Sequence, residues 1–224
     1  MTGVSAILLA AGESQRMGRT NKLTLPIRRV PLLRHVALTL LSANLEEIVV
    51  VVGHEARTAR MLLADLPLEV VTNPRYQEGQ MTSVECGMQE LRQPCAGVMV
   101  CLSDQPLLEI ADINTLITAF QYHCPTSVLV PTYQGRRGNP VILSSRHHKS
   151  ILDGKRNLGC RNFIANNPEL VCPWEMDKDH VVFDLDTPED FNRLRHRLGQ
   201  TEIEPDGSHT TEGAVTPWQK KSSM

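Results

Sequence analysis

Apolar residues fall along this chain in two registers, short unbroken runs and positions spaced three and four apart, and the two registers alternate. Residues 6–9 (AILL) open the series, residues 48–52 (IVVVV) are entirely β-branched after the first turn of polarity, and residues 68–72, 97–102 and 127–131 repeat the short type. An unbroken run of this length is the pattern of a strand buried on both faces of a parallel sheet. Between the runs, Leu33, Val36, Leu40 and Leu41 keep helical spacing, as do Ile113, Leu116, Ile117 and Phe120, and a further helix is expected over residues 55–64. Strand and helix in alternation predict an α/β fold, a doubly wound and mostly parallel sheet. From residue 199 onward the period disappears and Gly, Ser, Thr, Glu and Lys dominate around a solitary Trp218. Such a stretch cannot bury enough surface to offset its ordering entropy, so one folded domain over 1–198 and a disordered tail over 199–224 are expected.

The informative polar positions lie where the runs end. After the first run come Ala10, Ala11 and Gly12, then Arg16, a second glycine at Gly18, and Lys22. Small residues let backbone N–H groups approach an anion closely, and the Arg and Lys add charge-assisted donors, so the loop suits a polyphosphate. It is neither familiar phosphate loop. A Walker loop has four residues between its glycines and then Lys-Ser/Thr, whereas five separate Gly12 from Gly18 and Arg19-Thr20 follow. A dinucleotide fingerprint needs more glycines in the first turn and an acid at the end of the second strand, where this chain has Gly53-His54.

Four further stretches carry candidate chemistry. Asn73-Pro74 marks a turn, and the helix from Met81 onward, with Thr82 or Ser83 to cap it and Gly79 before it, offers an N-terminus that can meet an anion or a base. The run at 97–102 ends in Ser103-Asp104-Gln105-Pro106. Ligands of open α/β sheets sit beyond the carboxyl ends of the strands, so Asp104 faces the same crevice as the glycine loop and is a natural Mg²⁺ ligand; it could equally open the Pro106 turn. Residues 133–141 read as a glycine-rich hairpin with two arginines, suited to gripping a phosphate or simply exposed. Residues 181–190 (VVFDLDTPED) read as a strand, an acidic turn and a helix with Thr187 at its cap and Pro188 in its first turn, leaving Asp184 and Asp186 as either site or strand-end residues. His147 and His148 are adjacent, point about 100° apart on a helix, and are read as surface residues.

Composition narrows the partners. A formal charge of -2 argues against nucleic acid, whose binders carry a basic face. Six cysteines without a C-x-x-C pair exclude zinc spacing and are expected to be reduced thiols. No apolar run approaches the roughly 20 residues of a membrane span, and no signal core is recognised at the N-terminus, so the expected location is cytoplasmic with no membrane partner.

Taken together, Leu9, Ala10, Ala11, Gly12, Ser14, Arg16, Met17 and Gly18 match the LAAGxSxRMG of LAAGxSxRMGxxK, with Lys22 one position beyond the pattern's lysine, and the chain resembles the MobA-like nucleotidyltransferases. Asn73, Pro74, Gly79 and Ser83 match that family's NPxxxxGxxxS, and the ending DLDTPED is similar to its closing motif. The resemblance covers the chain from Val4 to about Leu198. It implies a Rossmann-like nucleotidyltransferase fold in which the loop residues Leu9, Ala10, Ala11, Gly12, Ser14, Arg16 and Lys22 bind the nucleotide, with Asn73, Gly79 and Ser83 bordering base and ribose. Lys22, Arg16 and Asp104 then act in catalysis, and Asp104 and Asp186 hold Mg²⁺. RGNPV, at Arg137, Gly138, Asn139, Pro140 and Val141, is similar to the molybdopterin cytidylyltransferase branch, where it borders the acceptor, as does the segment over residues 153–166. That branch implies CTP and molybdopterin as substrates, with a molybdenum hydroxylase or its maturation chaperone as the receiving partner. Ala10-Ala11-Gly12, in place of the LAGG of GTP-using members, points the same way. Two alternatives stay open: a nucleotidyltransferase of the same fold using GTP, a sugar phosphate or methylerythritol phosphate, and a non-catalytic pterin-binding accessory protein.

Overall fold

A computed structural model describes residues 3–17, 21–152 and 164–199. Gly18, residues 153–163 of the predicted acceptor segment, and the tail beyond Gly199 lie outside the described residues. The apolar runs form the strands β1 (Val4–Ala10), β4 (Ile48–Val52), β5 (Glu69–Thr72), β6 (Gly97–Leu102) and β7 (Val128–Tyr133), while β2 (Pro26–Ile27) and β3 (Val30–Pro31) make a separate hairpin. Two short strands, β8 (Arg136–Arg137) and β9 (Val141–Ser144), and the edge strand β10 (Val171–Glu175) complete the main sheet. Its order is β10-β7-β9-β6-β1-β4-β5, with β8 pairing β7. β1 lies parallel to β4 and β6, β4 to β5, and β10 to β7; β9 runs antiparallel between β6 and β7.

The doubly wound expectation is met because side chains of β1 alternate between two cores. Val4, Ala6, Leu8 and Ala10 face a cluster with α1 (Leu32–Leu41), α2 (Ala56–Leu63), α4 (Ile110–His123) and α6 (Pro188–Arg197); Ile7 and Leu9 face α3 (Gln80–Glu90) and α5 (His148–Leu152). Period-two alternation in a strand buried on both sides requires helices on both faces. A Leu8→Ala change in such a position costs about 2–5 kcal/mol. No helix among the described residues is long and apolar enough to cross a membrane.

Three local expectations are corrected. Residues 181–183 are not a strand: a 3-10 turn covers Asp179–Val182, and the Val181 carbonyl is engaged by Asn139 N–H and Gln105 Nε2 instead of a sheet ladder. The strand is β10, hidden in the sequence by Pro173, which an edge strand tolerates. Helix α3 starts at Gln80 with Gly79 as its cap and no side-chain cap bond, so neither Thr82 nor Ser83 caps it. The cysteines are not all thiols either. Cys124 at the end of α4 and Cys172 in β10 form a disulfide across 48 residues, a pairing made by the fold and invisible to local spacing, while Cys86, Cys95 and Cys101 are free.

Candidate active site

Beyond the carboxyl end of β1 lies a cleft of about 590 Å³, lined by Gly12, Glu13, Ser14, Arg16, Lys22, Tyr76, Gln77 and Asp186. Sheet bonding continues just far enough to fix its floor. Ser103 N–H donates to the Leu9 carbonyl and His54 N–H to that of Ala11, so the ends of three strands are tied together beneath the loop. Leu9, Ala10 and Ala11 are buried in that floor, and the chain then lifts into the cleft at Gly12. A Cβ added at Gly12 would meet nothing within 4 Å, so the space a glycine leaves there is open to the cleft. Ser14, at φ 52°, reverses the chain, and its carbonyl accepts from Met17 N–H, which seats Met17 in the core and leaves Arg16 outside.

Lys22 is the centre of the charged end. Its ammonium lies 2.7 Å from Asp104 Oδ2 and 3.2 Å from Asp186 Oδ1, and Arg16 Nη2 lies 3.0 Å from Asp186 Oδ2. Residues 82 and 164 positions away from Lys22 along the chain thus meet on one nitrogen. Burial opposes the Lys22 charge, but the Asp104 carboxylate and then Asp186 outweigh it and hold the ammonium above its ordinary range. Asp186 is positioned by the acidic turn: Asp190 Oδ2 accepts from the N–H groups of Asp186 and Thr187, closing a capping box at the start of α6. Asp104 is positioned by the Leu185 N–H, which donates to its carbonyl at 2.8 Å.

Gln105 is absent from the sequence-based candidates, and Asp184 stands there only as the alternative to Asp186. Gln105 is 1% exposed, and its Nε2 donates to the Val181 carbonyl at 3.1 Å and to Asp184 Oδ1 at 3.0 Å. Asp184 keeps an open side toward solvent, yet crowding by the protein, then the negative charge of Asp104, and then that of Asp186, push its carboxyl up to about 6 against the Gln105 hydrogen bond. Water on the open side tempers that shift. The signal for both was adjacency, since each sits within two residues of a predicted acid. Glu13, Tyr76 and Gln77 also went unnoticed; Gln77 Nε2 donates to Glu13 Oε1 at 3.2 Å and joins the two predicted nucleotide segments.

Other predicted residues are placed differently. Asn73 and Ser83 are buried: the Asn73 amide donates to Thr82 Oγ1 and Ser83 Oγ and accepts from Arg75 N–H, so both residues brace the 73–83 segment from within. Gly79 lies at its exposed surface with φ 122°. Arg137 is exposed, whereas Gly138 and Pro140 are buried and Asn139 N–H donates to the Val181 carbonyl. A Cβ at Gly138 would stand 2.4 Å from that carbonyl oxygen, so only glycine allows the hairpin to close on the acidic segment.

The carboxylates fit a hard divalent cation. Asp104 Oδ1 is buried without a hydrogen-bond partner, an acceptor with nothing to accept from, and Asp186 offers a second carboxylate across Lys22. A second possible ligand group, Glu109, Asp112 and His180, brings its atoms within 4.8 Å of one another. There the Lys178 ammonium holds Glu109, and Asp112 accepts from Glu109 N–H and faces His180 Nδ1, so these groups already serve the α4 capping box.

The pattern described as the MobA-like NTP transferase domain matches residues 6–171. The chain belongs to this family. Its relatives include nicotine blue oxidoreductase of Paenarthrobacter nicotinovorans, 27% identical over 199 residues that span 85% of this chain and 96% of that protein. The molybdenum cofactor cytidylyltransferase of Escherichia coli K12 is 25% identical over 207 residues, 91% of this chain and all of that one. The crystal structure of Rv0371c from Mycobacterium tuberculosis H37Rv has the same fold, with a TM-score of 0.76 at 24% identity over 86% of this chain and 97% of its own. Membership makes the doubly wound sheet a Rossmann-like nucleotidyltransferase fold, and the chain a nucleotidyltransferase-family protein.

Proposed function

We propose that this protein transfers CMP from CTP to the terminal phosphate of molybdopterin and releases pyrophosphate. The observation that carries the reading is the meeting of Lys22, Asp104, Asp186 and Arg16 at one end of an open cleft. Two cations and two carboxylates at a glycine loop suit a triphosphate with its metal better than an uncharged substrate. In the proposed reaction an acceptor phosphate oxygen attacks the α-phosphorus of CTP, a new P–O bond forms, and the α–β bridging P–O bond breaks with its electron pair leaving on pyrophosphate. The nucleophile is already an anion, so no general base is needed; positioning and charge neutralisation suffice. Lys22 and Arg16 neutralise the phosphates. Mg²⁺, held by Asp104 and Asp186, would supply further charge stabilisation at the phosphate oxygens.

The acceptor assignment rests on RGNPV and on the resemblance to the cytidylyltransferase branch, and the structure is consistent with it in that the Gly138-Asn139 turn packs on Val181, near the acids. CTP is favoured by Ala10-Ala11-Gly12. Such a protein would work in the cytoplasm and pass its product to a molybdenum hydroxylase or its chaperone. A second reading has its own observation: a relative that matches over nearly its whole length is named an oxidoreductase. Pyrophosphate release with Mg²⁺, each NTP in turn, and molybdopterin, a sugar phosphate or methylerythritol phosphate as acceptor tests the transfer reading. Turnover with CTP well above the other nucleotides is expected; equal or faster turnover with GTP overturns the base assignment, release only with a sugar phosphate or methylerythritol phosphate overturns the acceptor, and no release with any pair overturns nucleotidyl transfer.

A further inference from the structure

We infer that Gln105 is a positioning residue that sets the spacing of the two carboxylates proposed to hold the divalent cation, an inference that rests on the reading just given. Its place in the fold is the first reason. Asp104 is fixed at the end of β6, whereas Asp186 arrives on residues 181–186, an irregular segment with no sheet ladder to locate it. Something must hold that segment in register with β6. Among the described residues, three hydrogen bonds do so: Leu185 N–H to the Asp104 carbonyl, and the two bonds from Gln105 Nε2 to the Val181 carbonyl and Asp184 Oδ1. Gln105 therefore grips the segment at both Val181 and Asp184, on either side of Phe183 and just before the acid that meets Lys22.

The chemistry of the side chain is the second reason. Val181 O and the Asp184 carboxylate are both acceptors, so the residue beneath them must present two N–H donors from one nitrogen, which a primary amide does and a carboxylate or thioether does not. Asp184, close to Asp104 and Asp186, is a third carboxylate in a small space, and the Gln105 hydrogen bond ties its Oδ1 to the end of β6. The third reason is an atom left over. Gln105 Oε1 and Asp104 Oδ1 are both buried without a partner, on consecutive residues at the base of the site. A residue kept only for packing would be better served by an apolar side chain, since a buried unpaired carbonyl is a cost. Outer groups that orient metal ligands change metal affinity about 10–100-fold when removed.

The test is Mn²⁺ binding followed by electron paramagnetic resonance of free Mn²⁺, with and without CTP, which reads the metal without requiring the acceptor or turnover. Gln105→Glu keeps the shape and reverses the polarity, and its Kd for Mn²⁺ should rise about tenfold while the far-UV spectrum stays unchanged. Should that variant fail to fold, Gln105→Met removes the donors without adding charge and is expected to weaken Mn²⁺ similarly. Combining Gln105→Glu with Asp184→Asn restores a donor–acceptor pair with its direction reversed and should recover part of the affinity, which a packing role would not predict. Asp104→Asn is measured alongside. If it weakens Mn²⁺ and the Gln105 variants stay within twofold of the unchanged protein, the inference about Gln105 falls alone. If Asp104→Asn leaves Mn²⁺ binding unchanged, the metal assignment falls and takes this inference with it.

Discussion

The segment from Gly12 to Lys22 and the segment from Asn73 to Ser83 both carry motif residues and both border the cleft, yet they use their polar side chains in opposite ways. In the first, Arg16 and Lys22 reach outward and meet acids brought from β6 and from the turn before α6. In the second, Asn73 and Ser83 turn inward and bond to their own segment, and the residues facing the cleft are Tyr76 and Gln77, between the motif positions. A motif thus mixes residues that line the cleft with residues that shape the backbone presenting them. Burial tells them apart: Lys22 keeps 13% of its side chain open at the cleft, while Asn73 is 1% exposed.

The comparison breaks most sharply at Lys22. Lys22→Ala should lower kcat by about 10²–10³-fold, the usual effect of losing one aimed charge-stabilising donor. Its melting temperature should move little, because the lysine is a solvent-bordered partner of two acids and carries none of the core. Near-normal pyrophosphate release would sink the loop assignment. Asn73→Ala should do the reverse. It leaves Arg75 N–H, Thr82 and Ser83 without their partner, at a cost of about 1–3 kcal/mol in urea unfolding, and any loss of CTP affinity should follow from the loosened segment. Gln77→Ala sharpens the contrast, since its exposed side chain should affect KM for CTP and leave stability within about 0.5 kcal/mol. If Asn73→Ala proved fully stable and Gln77→Ala destabilising, the division into touching and bracing residues would be wrong.

A third motif segment extends the same logic. Gly138 lies against the Val181 carbonyl, where a methyl group has no room, so Gly138→Ala should cost about 1–3 kcal/mol, the usual effect of overpacking. Because Val181 also receives Gln105, the change should weaken metal binding together with stability; a variant as stable as the parent would show that the hairpin can lift away freely.

What could be read from the sequence follows the range of the forces involved. The strands at 48–52 and 97–102 and the helix through Ile113 and Phe120 were legible because burial on both sheet faces imposes a local pattern. The loop after β1 was legible because small residues followed by Arg and Lys have few other uses. β10 was not, since Pro173 speaks against a strand and only its edge position admits it. The Cys124–Cys172 disulfide and the Gln105–Val181 hydrogen bond were not legible either, because they join residues 48 and 76 positions apart that only tertiary packing unites. Asn73 had the right motif and an unreadable direction, for a single amide can point into a cleft or beneath it.

The smallest expected effect concerns His35 of α1, which supports the site from behind. Its Nε2 lies 3.0 Å from the Pro106 carbonyl, one residue beyond Gln105, and because a carbonyl can only accept, Nε2 carries the proton. Burial disfavours a second proton, the Pro106 bond partly opposes this, and Arg28 adds to it, so the folded-state value lies below the ordinary one. As pH falls through about 6.5, the unfolded chain therefore takes up a proton before the folded chain does. Stability contributed by this group is complete above that value and is lost on the way down toward the folded-state value. His35→Gln keeps a donor for Pro106 and removes the titration. Urea midpoints measured at pH 7, 6 and 5 should fall less steeply in the variant than in the parent, with the two nearly equal at pH 7. Identical slopes would mean that His35 is as easily protonated in the folded protein as in the unfolded chain, and that the Pro106 contact does not depend on a neutral ring.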